Sequence, residues 1–267
     1  MNNLQKNFEK NGYVIIPGDK ILIEKLRNIV FSVIQKNKKM KVGNSSPANI
    51  SKVFNNFHKY VKTKDINILR FEIYNKINSN NNCSDIYYKI FKDALDDLVG
   101  NELSMQKKIN LSIQMPNDKD SLLDIHSDIY AGESPFQVVA WVPLVNVYDT
   151  KSMFGAEIKQ NKVMNQQMLN SSKKTTKEIY NKNKKKFKFF NVKLGEVLIF
   201  SPLMLHGNTI NKTKETRFSL NVRFKSLLSP YDVMIKSHRN IPNFYRPLNI
   251  KPLTKIGFNY IKNYKNK

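Results

Sequence analysis

The segment Leu123-Asp124-Ile125-His126-Ser127-Asp128-Ile129-Tyr130 sets an imidazole and a carboxylate two residues apart. On an extended strand, residues i and i+2 point to one face, so His126 and Asp128 can reach the same metal ion. Eighty residues on, Pro202-Leu203-Met204-Leu205-His206-Gly207-Asn208 offers a further imidazole after a short apolar run. Two imidazoles and one carboxylate on one face of an iron leave three coordination positions open. Two of these suit a chelating 2-oxo acid and the third suits dioxygen. His-x-Asp alone is a weak signal, because short motifs recur by chance. The chain has only four histidines, and the other two, His58 and His238, lie in surroundings that read as surface or loop.

A second signal lies eleven residues beyond His206. Thr216-Arg217-Phe218-Ser219-Leu220-Asn221-Val222-Arg223-Phe224 alternates polar and apolar side chains, as does Lys108-Ile109-Asn110-Leu111-Ser112-Ile113-Gln114-Met115. Each pattern predicts a strand with one polar and one apolar face. We read the polar faces as the lining of a barrel and the apolar faces as the seat of the N-terminal helices. Arg217 and Ser219 then share an inward face. A guanidinium can grip a carboxylate with two charge-assisted bonds, which suits the far end of 2-oxoglutarate. Gln114 can add a hydrogen bond from the neighbouring strand, and Asn208 can reach the metal-bound end. Tyr130, Trp141 and Arg223 are candidates for the substrate wall; the plainer readings are a core aromatic for Trp141 and a structural ion pair for Arg223.

These residues need elements to position them. Tyr13 to Ile16 is a short β-rich run ended by Pro17 and Gly18. Asp19 can cap a helix over about 21–35, and Gly43 to Pro47 is a turn-rich break. Residues 50–100 read as mostly helical, with Asn78 to Cys83 as an Asn-rich loop. From Gln106 the period changes to two. Strands are expected near 107–115, 122–130, 136–146, 151–158, 187–193, 196–201, 203–210 and 216–226, which suggests a sandwich or jelly roll. The Lys-, Asn-, Gln- and Ser-rich stretch 159–186 breaks the rhythm and reads as a partly helical, mobile insertion, either a lid or a surface loop.

With 267 residues, the chain is expected to form a single domain. Residues 1–103 form its mostly helical part, 104–226 the core and 227–267 a C-terminal extension. One cysteine, Cys83, excludes an internal disulfide or a cysteine-based zinc site, and reads as an incidental thiol. No apolar stretch reaches the ~18–20 residues that span a bilayer. The N-terminus has no apolar signal region, so a cytoplasmic location is expected. The net charge of +24 suggests a polyanion partner. Only six of the 45 basic residues are Arg, however, and Lys, Asn and Ile all have AT-rich codons. We therefore read the charge as genome bias and disfavour nucleic acid as a partner. A positive field would still steer an anionic small substrate. The oligomeric state is not legible.

Taken together, these motifs resemble the phytanoyl-CoA dioxygenase-like branch of the 2-oxoglutarate oxygenases. The resemblance covers most of the chain. It rests on Phe8-Glu9-Lys10-Asn11-Gly12-Tyr13-Val14-Ile15-Ile16-Pro17, on His126-Ser127-Asp128, on Gly195-Glu196-Val197-Leu198-Ile199-Phe200 leading to His206, and on the distance from there to Arg217. It implies a mainly β fold with flanking helices, built on a double-stranded β-helix (jelly-roll, cupin-like) core under an N-terminal helical layer. It also implies iron(II), 2-oxoglutarate and dioxygen, with succinate and carbon dioxide as co-products. One branch replaces the metal carboxylate with a small residue to admit halide; Asp128 is present here, which favours hydroxylation or a related oxidation. Asn110 to Pro116 and Val138 to Val145 look like bacterial oxygenases found among carbohydrate-biosynthesis genes, which points to a sugar or sugar derivative. Three other readings stay open at this point: a metal-dependent cupin-type isomerase or epimerase, an oxygenase acting on nucleic acid, and a non-catalytic binding module.

Overall fold

Two helix caps set the N-terminal layer. Asn2 and Gln5 form a reciprocal capping box for α1 (Asn3–Asn11). Asp19 accepts from the backbone of Ile21 and Leu22 to start α2 (Lys20–Lys36). Between them, β1 (Tyr13–Pro17) is the expected short strand. The computed structural model describes residues 1–37, 40–169, 176–229, 241 and 243–264.

The layer continues through α3 (Pro47–Asn55), α4 (Ile66–Asn78) and α5 (Asn81–Leu98). The expected Asn-rich loop shrinks to a two-residue break, because its asparagines serve as caps and braces. Asn80 caps α5 through the backbone of Asn82, and Asn78 bonds both the N–H and the carbonyl of Ile109. Cys83 accordingly lies in α5 and is fully buried, not set in a polar loop.

The strands are β2 (Leu103–Gln106), β3 (Asn110–Gln114), β4 (Gln137–Pro143), β5 (Phe154–Gly155), β6 (Lys188–Phe189), β7 (Glu196–Phe200), β8 (His206–Gly207), β9 (Arg217–Ser226) and β10 (Tyr245–Leu248). The larger, antiparallel sheet runs β1-β7-β4-β9-β2-β10, and β3 pairs with the first half of β9. The smaller sheet runs β6-β5-β8. Helices α6 (Ile158–Leu169) and α7 (Thr176–Asn183) stand between β5 and β6, and α8 (Pro252–Tyr264) ends the chain. Among the described residues, no helix is long and apolar enough to cross a membrane. Among the described residues helix outweighs strand, so the sheets that carry the candidate site are the smaller part by count.

The predicted strand over 122–130 does not form. Only His126 pairs there, in an isolated bridge to His206, and Asp128 opens a 3-10 turn running to Ala131. The expected strands at 151–158, 187–193 and 203–210 contract to two residues each. Strands β2 and β10 were not anticipated. β2 is only four residues long, and β10 contains Pro247, which an edge strand tolerates because one side of its ladder is unused.

The alternation along β9 turns Phe218, Leu220, Val222 and Phe224 onto the helices. Phe218 stacks on Phe54 with ring centroids 4.5 Å apart and meets Phe57 edge-on at 4.9 Å. Tyr87 places its hydroxyl 2.9 Å from the Ala140 carbonyl and 3.1 Å from that of Leu220. The opposite face of β9 carries Arg217, Ser219, Asn221 and Arg223 into the space between the sheets.

The insertion is more structured than its composition suggests. Met164 joins Ile125, Phe154, Ala156, Phe187 and Leu205 in a second apolar cluster, with Tyr180 packed against it. Buried Asn161 bonds the Leu203 carbonyl and the Leu205 N–H, so α6 braces the approach to His206. Residues 170–175 of this stretch lie outside the described residues, as does His238.

Candidate metal centre

The main chain itself brings the two histidines together. His126 and His206 exchange both backbone hydrogen bonds, each at 2.9 Å. Two residues on, the Asp128 N–H and the Ser127 hydroxyl both donate to the Pro202 carbonyl, at 3.0 and 2.7 Å. Asp128 thus reaches the histidines from a turn pinned to the 202–206 segment, not from the strand that the His-x-Asp spacing predicts.

Each imidazole is also oriented. His126 Nδ1 lies 2.7 Å from the Asp124 carbonyl, and His206 Nδ1 lies 2.9 Å from that of Met204. A carbonyl only accepts, so Nδ1 carries the proton in each ring and Nε2 presents its lone pair. Those Nε2 atoms stand 3.6 and 3.7 Å from Asp128 Oδ1. One ligand atom from each of the three residues lies within 4.8 Å of the others, the reach of a single metal ion. The Phe200 ring packs against His206 at 4.9 Å.

The electrostatics favour ligation. Burial pushes the Asp128 pKa up, but the His126 contact and the Arg223 charge outweigh it and hold the carboxyl well below its usual range. Burial pulls His206 down to about 4, against the attraction of Asp128, so its imidazole is neutral at pH 7. For His126, burial is outweighed by Asp128 and the Asp124 carbonyl, which raise its pKa. An anionic carboxylate beside a neutral imidazole is the donor state a divalent cation requires.

A buried cation lies at the start of β9. Arg217 is 4% exposed, and its only described hydrogen bond runs from Nη2 to the Ser112 hydroxyl at 3.1 Å. Its Nε and Nη1 have no partner, nor do the buried Ser219 Oγ, Gln114 Oε1 and Thr209 Oγ1. Register places Gln114 opposite Arg217 and Ser112 opposite Ser219. Gln114 Nε2 also donates to the Thr209 carbonyl at 2.7 Å. Thr209 lies three residues after His206, so Gln114 ties the position opposite Arg217 to the segment that carries the third triad residue. Burial lowers the Arg217 pKa to about 10. Unpaired donors on a buried charge are costly; the Arg217 nitrogens and the Ser219 hydroxyl fit a ligand with a carboxylate group, which only accepts.

The remaining expected residues divide. Trp141 pairs with Asn221 across β4 and β9, on the inward face, and is buried. Tyr130 sits on the turn after Asp128 and is 38% exposed. Asn208 does not point at the metal ligands: its side chain accepts from the Leu123 N–H and donates to the Ser121 carbonyl, bracing the chain before His126. Arg223 faces inward as predicted, but it is engaged by Asp128 and Glu133. His58, expected at the surface, is half-buried, with Nδ1 3.0 Å from the Thr216 hydroxyl next to Arg217. Glu133, Gln106, Gln137 and Tyr245 were missed; all four are buried, and nothing in their sequence spacing marks them. Ser112 and Thr209 were missed too, although Ser112 shares the polar alternation with Gln114.

A cavity of about 390 Å3 lies beside this centre, walled by Asp124, Ile125, Phe154, Lys177, Tyr180 and Thr209. It includes α7 residues of the insertion but none of the three triad residues.

Comparison with solved structures shows the fold. The chain is similar to a non-heme monooxygenase, the ThoJ-Ni complex, with 17% identity and a TM-score of 0.52 over 85% of this chain and 79% of that one. It is also similar to HygX from Streptomyces hygroscopicus with nickel and 2-oxoglutarate bound, with 12% identity and a TM-score of 0.51 over 92% and 96%. The fold is the jelly roll of the non-haem iron and 2-oxoglutarate enzymes. No family model matches the sequence, and no curated protein matches it either.

Proposed function

We propose that the protein is an Fe(II)- and 2-oxoglutarate-dependent dioxygenase that oxidises a C–H bond of a small molecule. One observation carries this reading: His126, Asp128 and His206 cluster within reach of one ion, and β9, whose Arg223 pairs with Asp128, carries on the same face the buried Arg217 with unpaired donors. His126, Asp128 and His206 would hold the iron. Arg217, with Ser219 and Gln114, would hold the distal carboxylate of 2-oxoglutarate, leaving its 2-oxo acid end for the metal. Iron, 2-oxoglutarate and dioxygen supply the oxidising power when bound, and the chain supplies position and dryness.

The chain's own part can be stated residue by residue. The paired backbones of His126 and His206 fix the ligand spacing. Their Nδ1–H bonds to Asp124 and Met204 keep both Nε2 lone pairs aimed at one point. Asn208 serves as a brace for this pair, not as a cofactor contact. Tyr130 and Trp141 are the proposed wall residues, and α6 with α7 screens one side of the site from water. Within the superfamily, the motifs favour the phytanoyl-CoA dioxygenase-like branch, hydroxylation as the reaction, and a sugar-derived or anionic substrate drawn in by the +24 charge.

The test is anaerobic titration with Fe(II) and then 2-oxoglutarate, followed by aerobic measurement of succinate. One metal per chain, 2-oxoglutarate binding only after metal, and slow succinate release are expected. His206→Ala should abolish metal binding. Metal binding without any affinity for 2-oxoglutarate would instead favour the cupin-type isomerase reading.

A further inference from the structure

Arg223 meets three acceptor side chains, two through hydrogen bonds and one, Glu133, as a close ion pair without hydrogen-bond geometry. Nη2 lies 2.9 Å from Asp128 Oδ2, Nε lies 3.0 Å from Glu133 Oε1, and Nη1 lies 3.3 Å from Gln106 Oε1. Asp128 therefore divides its oxygens: Oδ2 faces the arginine, and Oδ1 faces both imidazole Nε2 atoms.

We propose, resting on the metal-centre reading above, that Arg223 is a positioning residue that restricts Asp128 to one ligand oxygen. A carboxylate with both oxygens free can bind a metal through one or both, and the second mode takes an extra coordination position. A guanidinium on Oδ2 blocks that mode and keeps the position for a reactant. Glu133 completes the device. It lies five residues after Asp128, and its N–H donates to the Asp128 carbonyl at 3.3 Å, so one cation holds both ends of the turn. Glu133 Oε2 accepts from Gln137 at 3.1 Å, and Gln137 Oε1 accepts from the Tyr245 hydroxyl at 2.5 Å. The clamp thus runs from the metal carboxylate to β10. Lysine cannot replace it, because a single ammonium lacks the planar fork that reaches three acceptors at fixed angles.

Co(II) is the probe, because its visible absorption reports coordination number without turnover. The full-length protein should bind one Co(II). Arg223→Met should bind it roughly 10–100-fold more weakly. Its spectrum should also change to that of a site with one more oxygen ligand. Removing a residue that only supports the fold would not change the spectrum. If Arg223→Met fails to fold, Arg223→Lys decides, with weaker binding and an altered spectrum expected. A folded variant with wild-type affinity and spectrum overturns the inference. Failure of the wild type to bind Co(II) overturns the metal-centre reading, and the inference with it. Co(II) binding without 2-oxoglutarate binding removes only the co-substrate, and Arg223 keeps its role.

Discussion

Gln114 and Arg217 face each other across β3 and β9, both buried, yet Gln114 Oε1 and two of the arginine nitrogens find no partner. An acceptor and donors left unsatisfied side by side lower the stability of the empty protein. The unpaired guanidinium donors also mark where an anionic ligand would bring acceptors. Stability and ligand binding are therefore in opposition at this position.

Arg217→Met should separate the two effects. It removes a buried charge without a counter-ion while filling similar volume, so the ligand-free protein should gain roughly 1–3 kcal/mol. The same variant should lose 2-oxoglutarate binding. Calorimetric melting with and without 2-oxoglutarate checks both: the wild type should melt higher with ligand and the variant should not respond. A variant that is less stable and still responds would rule out the anchor.

Acid should destabilise the metal-free protein before carboxylates titrate. The folded pKa of His206 is lowered to about 4 by burial, against about 6.5 when unfolded. Between those values the unfolded chain binds the extra proton, so stability falls as pH drops from about 6.5 to about 4. The size is on the order of 3 kcal/mol. His126, whose pKa is raised, contributes the opposite slope just above 6.5. Urea midpoints across this range should show the loss, and His206→Gln should flatten it. An unchanged slope in that variant would count against the buried neutral imidazole.

Burial raises the Cys83 thiol to about 11. The native protein should therefore resist a thiol-specific disulfide reagent at pH 8 and react fully once unfolded in guanidinium. Rapid reaction of the folded protein would place Cys83 at the surface, as its Asn-rich neighbours suggest.

How legible was this in the sequence? The three candidate ligand residues and Arg217 could be named because their chemistry is rare in this chain and their spacing is that of strands. The reasoning for Asp128 nevertheless failed locally. A His-x-Asp pair on a strand and a His followed by a 3-10 turn put the carboxylate near the same point, and only the backbone bonds to Pro202 distinguish them. Arg223 was visible as an inward residue, but its partners were not. Glu133 comes from a turn and Gln106 from another strand, and register fixes such meetings only after the sheet has closed. The asparagines at 78 and 80 read as a loop because cap and loop share one composition. The strand β10 was hidden by its proline.

The aromatic seam between layers offers a stability test. Phe54 touches Phe218 on one side and Phe31 on the other, and is fully buried. Phe54→Ala should cost about 3–5 kcal/mol. The denaturant slope should stay the same, because the whole layer unfolds with the sheet. A loss under 1 kcal/mol would show that the helices pack on the barrel without depending on this contact.

The reciprocal backbone bonds between His126 and His206 carry an evolutionary consequence. Peptide groups are common to every residue, so this link between the two imidazoles does not depend on which side chains surround it. Mutational drift in the segment between them can proceed while the paired backbones hold the candidate metal donors at one span. A candidate centre suspended from main chain in this way can outlast much of the sequence around it.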